Sequence, residues 1–164
     1  AVQSANADVC SRGQAAQTEM GTTVVTWLLT TQGQCLIAHV GDSRAYRLRA
    51  GELRRLTTDH SMVQQMVDEG LIGEAEAQTA PNRNVITRAL GLSMKVEVDV
   101  RSWVHVPGDL YLLCSDGLTD LVNEQAISEL LTQGDALPDA ARRLVDRAND
   151  AGGHDNVSVL LIRP

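Results

Sequence analysis

The amino-acid sequence predicts one mixed domain in which antiparallel strands and short helices share a core. Its 164 residues are enough for one hydrophobic core and few for two. Hydrophobic residues make up 43% and charged residues 21%, as in ordinary globular domains, which disfavours disorder and a coiled coil. Apolar runs alternate with glycine-containing turns and with capped helical segments. We therefore expect a single domain over residues 1–164.

The charge and the aromatic content argue against several classes of partner. The formal charge is -7, from 14 basic and 21 acidic residues, so the chain lacks the positive surface that nucleic acid or an anionic membrane attracts. Aromatic residues make up only 2%, which leaves no row of rings for stacking bases. The widely spaced Cys10, Cys35 and Cys114 lie in apolar surroundings and indicate core residues of a cytoplasmic protein. We expect neither nucleic acid nor a membrane as a partner.

The first third of the chain predicts a short helix and then a meander of four antiparallel strands. Helical spacing of apolar residues is confined to residues 1–10, and the polar residues 11–19 predict a loop. The strand candidates are β-branched or alternate in period two, and they span residues 22–30, 35–40, 45–49 and 53–57. Gly41-Asp42-Ser43 interrupts the run between the second and third of these strands.

Residues 58–92 predict an insertion of short helices between strands. Asp59 or Ser61 can cap a helix over residues 62–69, and residues 71–77 give a second short helical piece. Such an excursion has little core of its own, so we expect a mobile flap.

The last part of the chain predicts three strands and two helices. Residues 96–106 alternate in period two, and the continuous apolar run at residues 110–114 suits a strand that is buried on both faces. Asn123 can cap a helix over residues 124–132, and Pro138 opens a helix that ends at residue 149. The final strand is predicted over residues 156–162.

Three acidic residues lie at the ends of predicted strands, each near a glycine: Asp42, Asp116 and Asp155. The buried strand before Asp116 fixes where its carboxylate points, and Gly117 frees the backbone for a tight turn. If the strands lie side by side, their ends converge. Carboxylates with few His or Cys residues nearby favour Mg²⁺ or Mn²⁺ over zinc. A pair of such ions would support metal-assisted phosphate hydrolysis.

Each acid also has a purely structural interpretation. Asp42 could cap a turn and pair with Arg44. Asp116 could cap the turn over residues 118–121, and Asp155 could form an Asx-type turn after two glycines.

The histidines and the hairpin arginines carry no separate catalytic signal. His154 indicates a solvated loop and His60 the start of a helix, and neither belongs to an arrangement that implies a catalytic triad. Arginines on a half-exposed hairpin more often face solvent than bind an anion, and this applies to Arg47, Arg49, Arg54 and Arg55.

Six motifs occur in order along most of the chain. They are Met20-Gly21-Thr22-Thr23, Ala38-His39-Val40-Gly41-Asp42-Ser43-Arg44-Ala45-Tyr46, Thr58-Asp59-His60-Ser61, Asn84-Val85-Ile86-Thr87-Arg88-Ala89-Leu90-Gly91, Ser115-Asp116-Gly117-Leu118 and Asp155-Asn156. Together they resemble the bacterial branch of the PPM (PP2C-type) metal-dependent Ser/Thr protein phosphatases.

The resemblance implies an α+β fold, an α/β/β/α sandwich of two mainly antiparallel sheets flanked by helices. It implies a two-metal centre at one edge of the sheets, with Asp116 and Asp155 as ligands and Asp42 at a further, weaker metal position. No catalytic residue is implied beyond these ligands. The residues implied to support them are Gly41, Ser43, Gly117 and Asn156.

The resemblance also implies a function. A water activated by Mn²⁺ or Mg²⁺, with two or three ions in the complete domain, would hydrolyse phosphoserine and phosphothreonine on proteins. Phosphorylated proteins and a cognate Ser/Thr kinase would be the partners, and residues 58–92 would be the flap beside the active site. The alternative is a non-catalytic module of the same family that binds a kinase or a phosphoprotein.

The family's N-terminal signature does not occur in this sequence. Members of the family begin with a strand carrying an acidic pair, followed by an Asp-Gly-x-Gly-Gly segment whose Asp bridges both metals. We therefore expect this chain to be the C-terminal portion of the catalytic domain, without its first strands and helix and with impaired activity. The unpaired sheet edges would favour dimerisation or strand exchange.

Overall fold

A computed structural model describes residues 1–77 and 79–164 of the protein. In chain order its helices and strands are α1 (Val2–Ala16), β1 (Val24–Leu29), β2 (Gln34–Val40), β3 (Arg44–Arg49), β4 (Glu52–Arg55), α2 (Met62–Asp68), α3 (Glu74–Ala77), β5 (Asp99–Val104), β6 (Leu110–Cys114), α4 (Asp116–Thr119), α5 (Glu124–Thr132), α6 (Leu137–Asp150) and β7 (Val159–Ile162).

The strands form two antiparallel sheets that pack against each other. One sheet has the strand order β1-β2-β5 and the other β4-β3-β6-β7. The layer between them is built from Cys35, Ile37, Ala45, Tyr111 and Leu113. Helices lie outside the sheets, so the predicted α+β fold with two antiparallel sheets flanked by helices is confirmed.

Helices α4, α5 and α6 cover the outer face of the four-stranded sheet. Leu118, Ile127 and Leu144 of these helices are fully buried in one cluster with Tyr46 and Leu112 of the sheet. Residues of β6 face both this cluster and the layer between the sheets, and all five are buried. This explains the continuous apolar run and confirms the prediction that β6 is buried on both faces.

The predicted four-stranded meander is wrong. β1 and β2 belong to the three-stranded sheet, whereas β3 and β4 belong to the other. The chain crosses between the sheets at residues 41–43, where Gly41 has a φ of 105° and a Cβ added to it would lie 2.4 Å from Thr23 Cγ2. β2 takes β5 as its second partner, and β3 takes β6. β5 and β6 lie far along the chain from the hairpins, and pairing with them decides which sheet each hairpin joins.

The first helix is longer than predicted. α1 continues to Ala16, through the residues for which a loop was predicted. Cys10 and Gly13 are buried within it, and the Cys10 thiol lies 3.4 Å from the carbonyl oxygens of both Gly91 and Ser93. Contacts with residues 91 and 93 thus stabilise the second half of α1, whose polar residues do not show the apolar spacing of a helix.

The flap, residues 58–92, contains α2 and α3. Of the two predicted caps for α2, Ser61 is the one used, because its Oγ accepts the Gln64 N–H at 3.3 Å. Among the described residues, we find no helix that combines the length and the apolar character needed to cross a membrane.

Candidate metal centre

Asp42 lies at the crossing between the two sheets, and the residues around it are tightly held. The Gly41 N–H donates to His60 Nδ1 at 3.0 Å. Arg44 does not pair with Asp42, as one interpretation of the sequence suggested. Its guanidinium instead donates three hydrogen bonds of 2.7–3.2 Å to Asp59.

Asp116 follows the buried strand β6, as predicted, and begins α4. Its Oδ1 accepts the N–H of Gly117 at 2.9 Å. Residues 118 and 119, where a turn was predicted, continue this short helix. The half-buried Asp116 carboxylate therefore lies just after a rigid strand, and the hydrogen bond from Gly117 fixes its direction.

The loop that carries Asp155 is fastened to the residue before Asp116. The Ser115 N–H donates to the Ser158 carbonyl oxygen at 3.1 Å, and Ser115 Oγ accepts the Ser158 N–H at 3.0 Å. Ser115 Oγ also donates to the Asn156 carbonyl oxygen at 3.2 Å. Pairing of β6 with β7 thus brings the segments of Asp116 and Asp155 side by side. The exposed Asp155 carboxylate accepts the Asn156 N–H at 2.6 Å.

The charge of Asp116 affects the pKa values of two neighbouring aspartates, Asp42 and Asp120. Burial and then the charge of Asp116 raise the pKa of Asp42 from 3.8 to about 6. Burial and then the same charge also raise the pKa of Asp120. Asp120 was not singled out in the sequence, although its position four residues after Asp116 is the helical spacing that lets two side chains interact.

A cavity of about 630 Å³ opens at these acids. The flap forms one wall, with residues of α2 and α3, and the segment from α4 to the start of α5 forms the other. Its charged lining includes Asp42, Asp116 and Asp120 together with Arg44, Arg55 and Arg83. Arg83 Nε of the flap lies 3.8 Å from Asp120 Oδ2, so one ion pair joins the two walls.

The donors in this cavity fit a hard divalent cation. The charge of Asp116 adds to the raised pKa values of Asp42 and Asp120, and a bound cation would relieve this repulsion. In the described residues, one set of three His, Cys or acidic groups has its ligand atoms within 4.8 Å of one another, and it is His39, His60 and Asp99. Asp42, Asp116 and Asp155 do not form such a compact set, although the fold brings their segments to one region.

His60 and its neighbours are a feature that the sequence analysis missed. His60 and His39 are buried, and their rings stack with centroids 4.7 Å apart. Arg88 donates to Asp99 Oδ1 at 2.7 Å, beside His60. The pattern around His60 indicated only the start of a helix, because its partners come from β2, β5 and the end of the flap.

Comparison with known proteins identifies the family. A profile described as "Protein phosphatase 2C" matches residues 1–148. The chain belongs to the protein phosphatase 2C family. The serine/threonine phosphatase stp of Listeria monocytogenes serotype 4b is 43% identical over 143 residues, which are 87% of this chain and 56% of that protein. The family suggested by the six sequence motifs is thus confirmed.

Solved structures of serine/threonine phosphatases share the fold. The serine/threonine phosphatase PstP/Ppp of Mycobacterium tuberculosis has a TM-score of 0.90 and 39% identity, with 95% of this chain and 66% of that one covered. A catalytic domain of PstP in complex with two manganese ions has a TM-score of 0.87 and 38% identity, covering 97% of this chain and 66% of that one. The chain spans a little over half the length of the stp relative that it matches.

Proposed function

We propose that this protein hydrolyses phosphoserine and phosphothreonine on other proteins in a reaction that depends on Mn²⁺ or Mg²⁺. The observation that carries the proposal is the polar cavity lined by Asp42, Asp116 and Asp120 within a protein phosphatase 2C fold. A phosphate group would be repelled by these carboxylates alone. The arginines of the lining already pair with Asp59 and Asp120, so bound divalent cations would supply the positive charge that a phosphoryl group needs.

We assign the metal-holding roles to the acids predicted from the sequence. Asp116 and Asp155 would share one centre, and Asp42 would hold a further, weaker position to which Asp120 contributes. A bound divalent cation would lower the pKa of a water molecule and neutralise charge on the phosphoryl oxygens.

The supporting residues hold these acids in place. Ser43 supports the Asp42 segment, because its Oγ lies 2.8 Å from Thr23 Oγ1. Gly41 contributes its bond to His60, and Gly117 and Asn156 bring the Asp116 and Asp155 segments together.

We propose that residues 1–164 belong to one catalytic domain and that the flap, residues 58–92, shapes its substrate site. Ser61, Val63 and Gln64 line the cavity opposite Asp116. A phosphorylated segment of a substrate would have to pass between the flap and α4. Residues of the flap are therefore the ones we expect to select among phosphoproteins.

The proposed partners are phosphorylated proteins and a cognate Ser/Thr kinase that modifies them. We propose a cytoplasmic location, which the three buried, unpaired cysteines support. Association of two copies is a further proposal, because Leu28, Val100 and Val104 of the three-stranded sheet are 57%, 58% and 63% exposed.

Replacement of Asp116 tests the proposed reaction. In the full-length gene product, we expect Asp116→Asn to lower the Mn²⁺-dependent release of phosphate from a phosphothreonine peptide by more than about 100-fold, since a change in a group that only supports a ligand already costs 10–100-fold. The matched control is Asp146→Asn on the exposed face of α6, which we expect to leave the rate unchanged.

Two results would contradict the proposal. One is a rate for Asp116→Asn close to that of the unaltered protein. The other is an unaltered full-length gene product that binds the phosphopeptide but releases no phosphate at any Mn²⁺ concentration, which would support the non-catalytic module instead.

A further inference from the structure

His60 and Gly41 are joined by two hydrogen bonds. The Gly41 N–H donates to His60 Nδ1 at 3.0 Å, and the His60 backbone N–H donates to the Gly41 carbonyl oxygen at 3.0 Å. Both residues are buried. The start of the flap is thereby locked to the residue immediately before Asp42.

The first of these bonds fixes the protonation of the His60 ring. Nδ1 accepts a hydrogen bond and must present its lone pair, so the proton of the neutral ring is on Nε2. Nε2 lies 3.4 Å from Asp99 Oδ1. Its 3.0 Å contact with Arg88 Nη1 is not a hydrogen bond in this tautomer, because a guanidinium can only donate. Burial, followed by the charge of Arg88, lowers the pKa of His60, and this favours the neutral ring that the bond from Gly41 requires.

The hydrogen bonds argue against a metal ion among His39, His60 and Asp99, although their spacing would permit one. Neither ring nitrogen of His60 has a lone pair to spare. The guanidinium of Arg88 already provides a cation, with Nη1 2.7 Å from Asp99 Oδ1 and 3.0 Å from His60 Nε2. His39 Nε2 lies 2.8 Å from the Thr58 carbonyl oxygen and is also engaged.

The residue before His60 holds the other side of Asp42. Asp59 accepts three hydrogen bonds from Arg44, which follows Asp42 by two residues. Two consecutive flap residues therefore hold the segments on both sides of Asp42.

The C-terminal end of the flap also contacts His60. The Thr87 N–H donates to the His60 carbonyl oxygen at 2.8 Å, next to the Arg88 contact. A displacement at either end of the flap would thus be transmitted through His60 to Gly41.

We propose that His60 is a positioning residue that holds Gly41, and through it the Asp42 carboxylate, in place and couples the flap to the cation site. Its neutral ring acts through a single accepted hydrogen bond and does not contact metal or substrate. The coupling to a cation rests on the proposed function, whereas the bond to Gly41 does not.

Three substitutions of His60 test the role of Nδ1. In His60→Asn the side-chain Oδ1 occupies a position close to that of Nδ1 and can accept the Gly41 N–H. In His60→Gln the acceptor lies further out, near the position of Nε2, and His60→Ala has none. We expect the Gly41 amide to exchange with solvent at least about 10-fold faster in the Ala and Gln variants than in the Asn variant, measured by NMR.

The same variants separate positioning from general stability. We expect Mn²⁺ bound at the Asp42 site, followed by electron paramagnetic resonance titration, to weaken by about 10-fold or more in His60→Ala and to recover in His60→Asn, as for supporting groups around metals. His105→Ala is the control, because that half-buried ring lies near Asp109 in another part of the fold. It should leave both the Gly41 exchange rate and the Mn²⁺ affinity unchanged.

The outcomes distinguish this proposal from the proposed function. Equal Gly41 exchange rates in the Asn and Ala variants would overturn the positioning role, and so would a ¹⁵N spectrum showing His60 Nδ1 protonated. Faster exchange at all slowly exchanging amides would show loss of global stability instead and would also count against it. Absence of Mn²⁺ binding by the unaltered protein would refute the proposed function, while the Gly41 exchange rates would still decide the role of His60.

Discussion

Gly117 shows how a single missing side chain brings two acids to one region. A Cβ at this position would lie 2.4 Å from the carbonyl oxygen of Asn156, closer than real Cβ contacts permit. Gly117 lies within helix α4. The sequence suggested that this glycine was needed for a tight turn, but the structure indicates that it is needed for space. Its absent side chain lets the Asp155 loop approach Asp116.

We expect Gly117→Ala to push the Asp155 loop away and to lower the free energy of unfolding by about 1–3 kcal/mol, the usual cost of overpacking. It should also weaken Mn²⁺ binding, because Asp155, one of the proposed ligands, moves with the loop. Urea denaturation and a Mn²⁺ titration measure the two effects.

Gly73→Ala is the control for this substitution, since nothing lies within 4 Å of a Cβ added there. Its effect should stay within about 0.5 kcal/mol. A Gly117→Ala protein as stable as the control would show that the loop adjusts without cost.

At the scale of single elements, caps fix where the helices around the cavity begin. Asn123 Oδ1 accepts the Ala126 N–H at 2.9 Å at the start of α5, as the sequence predicted. Asn123 also lines the cavity. The same bond therefore stabilises α5 and shapes one end of the site.

We expect Asn123→Ala to lower the free energy of unfolding by about 1 kcal/mol, because the first turn of α5 loses its only side-chain cap bond in the described structure. The midpoint of urea denaturation measures this change. Asn149→Ala, near the end of α6, removes an asparagine of similar exposure and should be neutral or slightly stabilising, since alanine favours helix. Equal losses in both variants would contradict a specific role for the cap.

At the scale of the whole molecule, a buried polar network joins the two sheets. Arg49 of β3 donates two hydrogen bonds of 2.7 and 2.8 Å to the buried Asp109. The Tyr111 hydroxyl donates to Asp109 at 2.8 Å, and Trp103 Nε1 of β5 donates to the Tyr111 oxygen at 3.2 Å. The network thus reaches from the four-stranded sheet to the three-stranded one.

This network predicts how the free energy of unfolding depends on pH. The hydrogen bond from Arg49, opposed by burial, lowers the pKa of Asp109 from 3.8 to about 2. Because the unfolded chain takes up this proton at a higher pH than the folded one, the stabilisation is present above about pH 4 and is lost towards pH 2. We expect Asp109→Asn to remove about 2 kcal/mol at neutral pH and to flatten this part of the pH profile.

Denaturation measured between pH 2 and 7 tests this expectation. The control is Asp8→Asn on the exposed face of α1, which should leave the profile unchanged. An Asp109→Asn protein that loses stability between pH 4 and 2 as steeply as the control would contradict the role of Asp109.

Local patterns in the sequence were sufficient for most elements and for the family. The apolar run of β6, the cap at Asn123 and the acids Asp42 and Asp116 each depend on residues close together in the chain, so their structural positions could be predicted. The six motifs identified the family for the same reason, because each is a short segment with its own spacing.

Tertiary structure alone decided which distant segments meet. The sheet to which each hairpin belongs depends on pairing with β5 and β6, and the length of α1 depends on contacts of Cys10 with residues 91 and 93. The bond between His60 and Gly41 likewise joins segments 19 residues apart. Periodicity and capping record the preferences of neighbouring residues, whereas these contacts depend on how the whole chain packs and leave no local pattern from which to predict them.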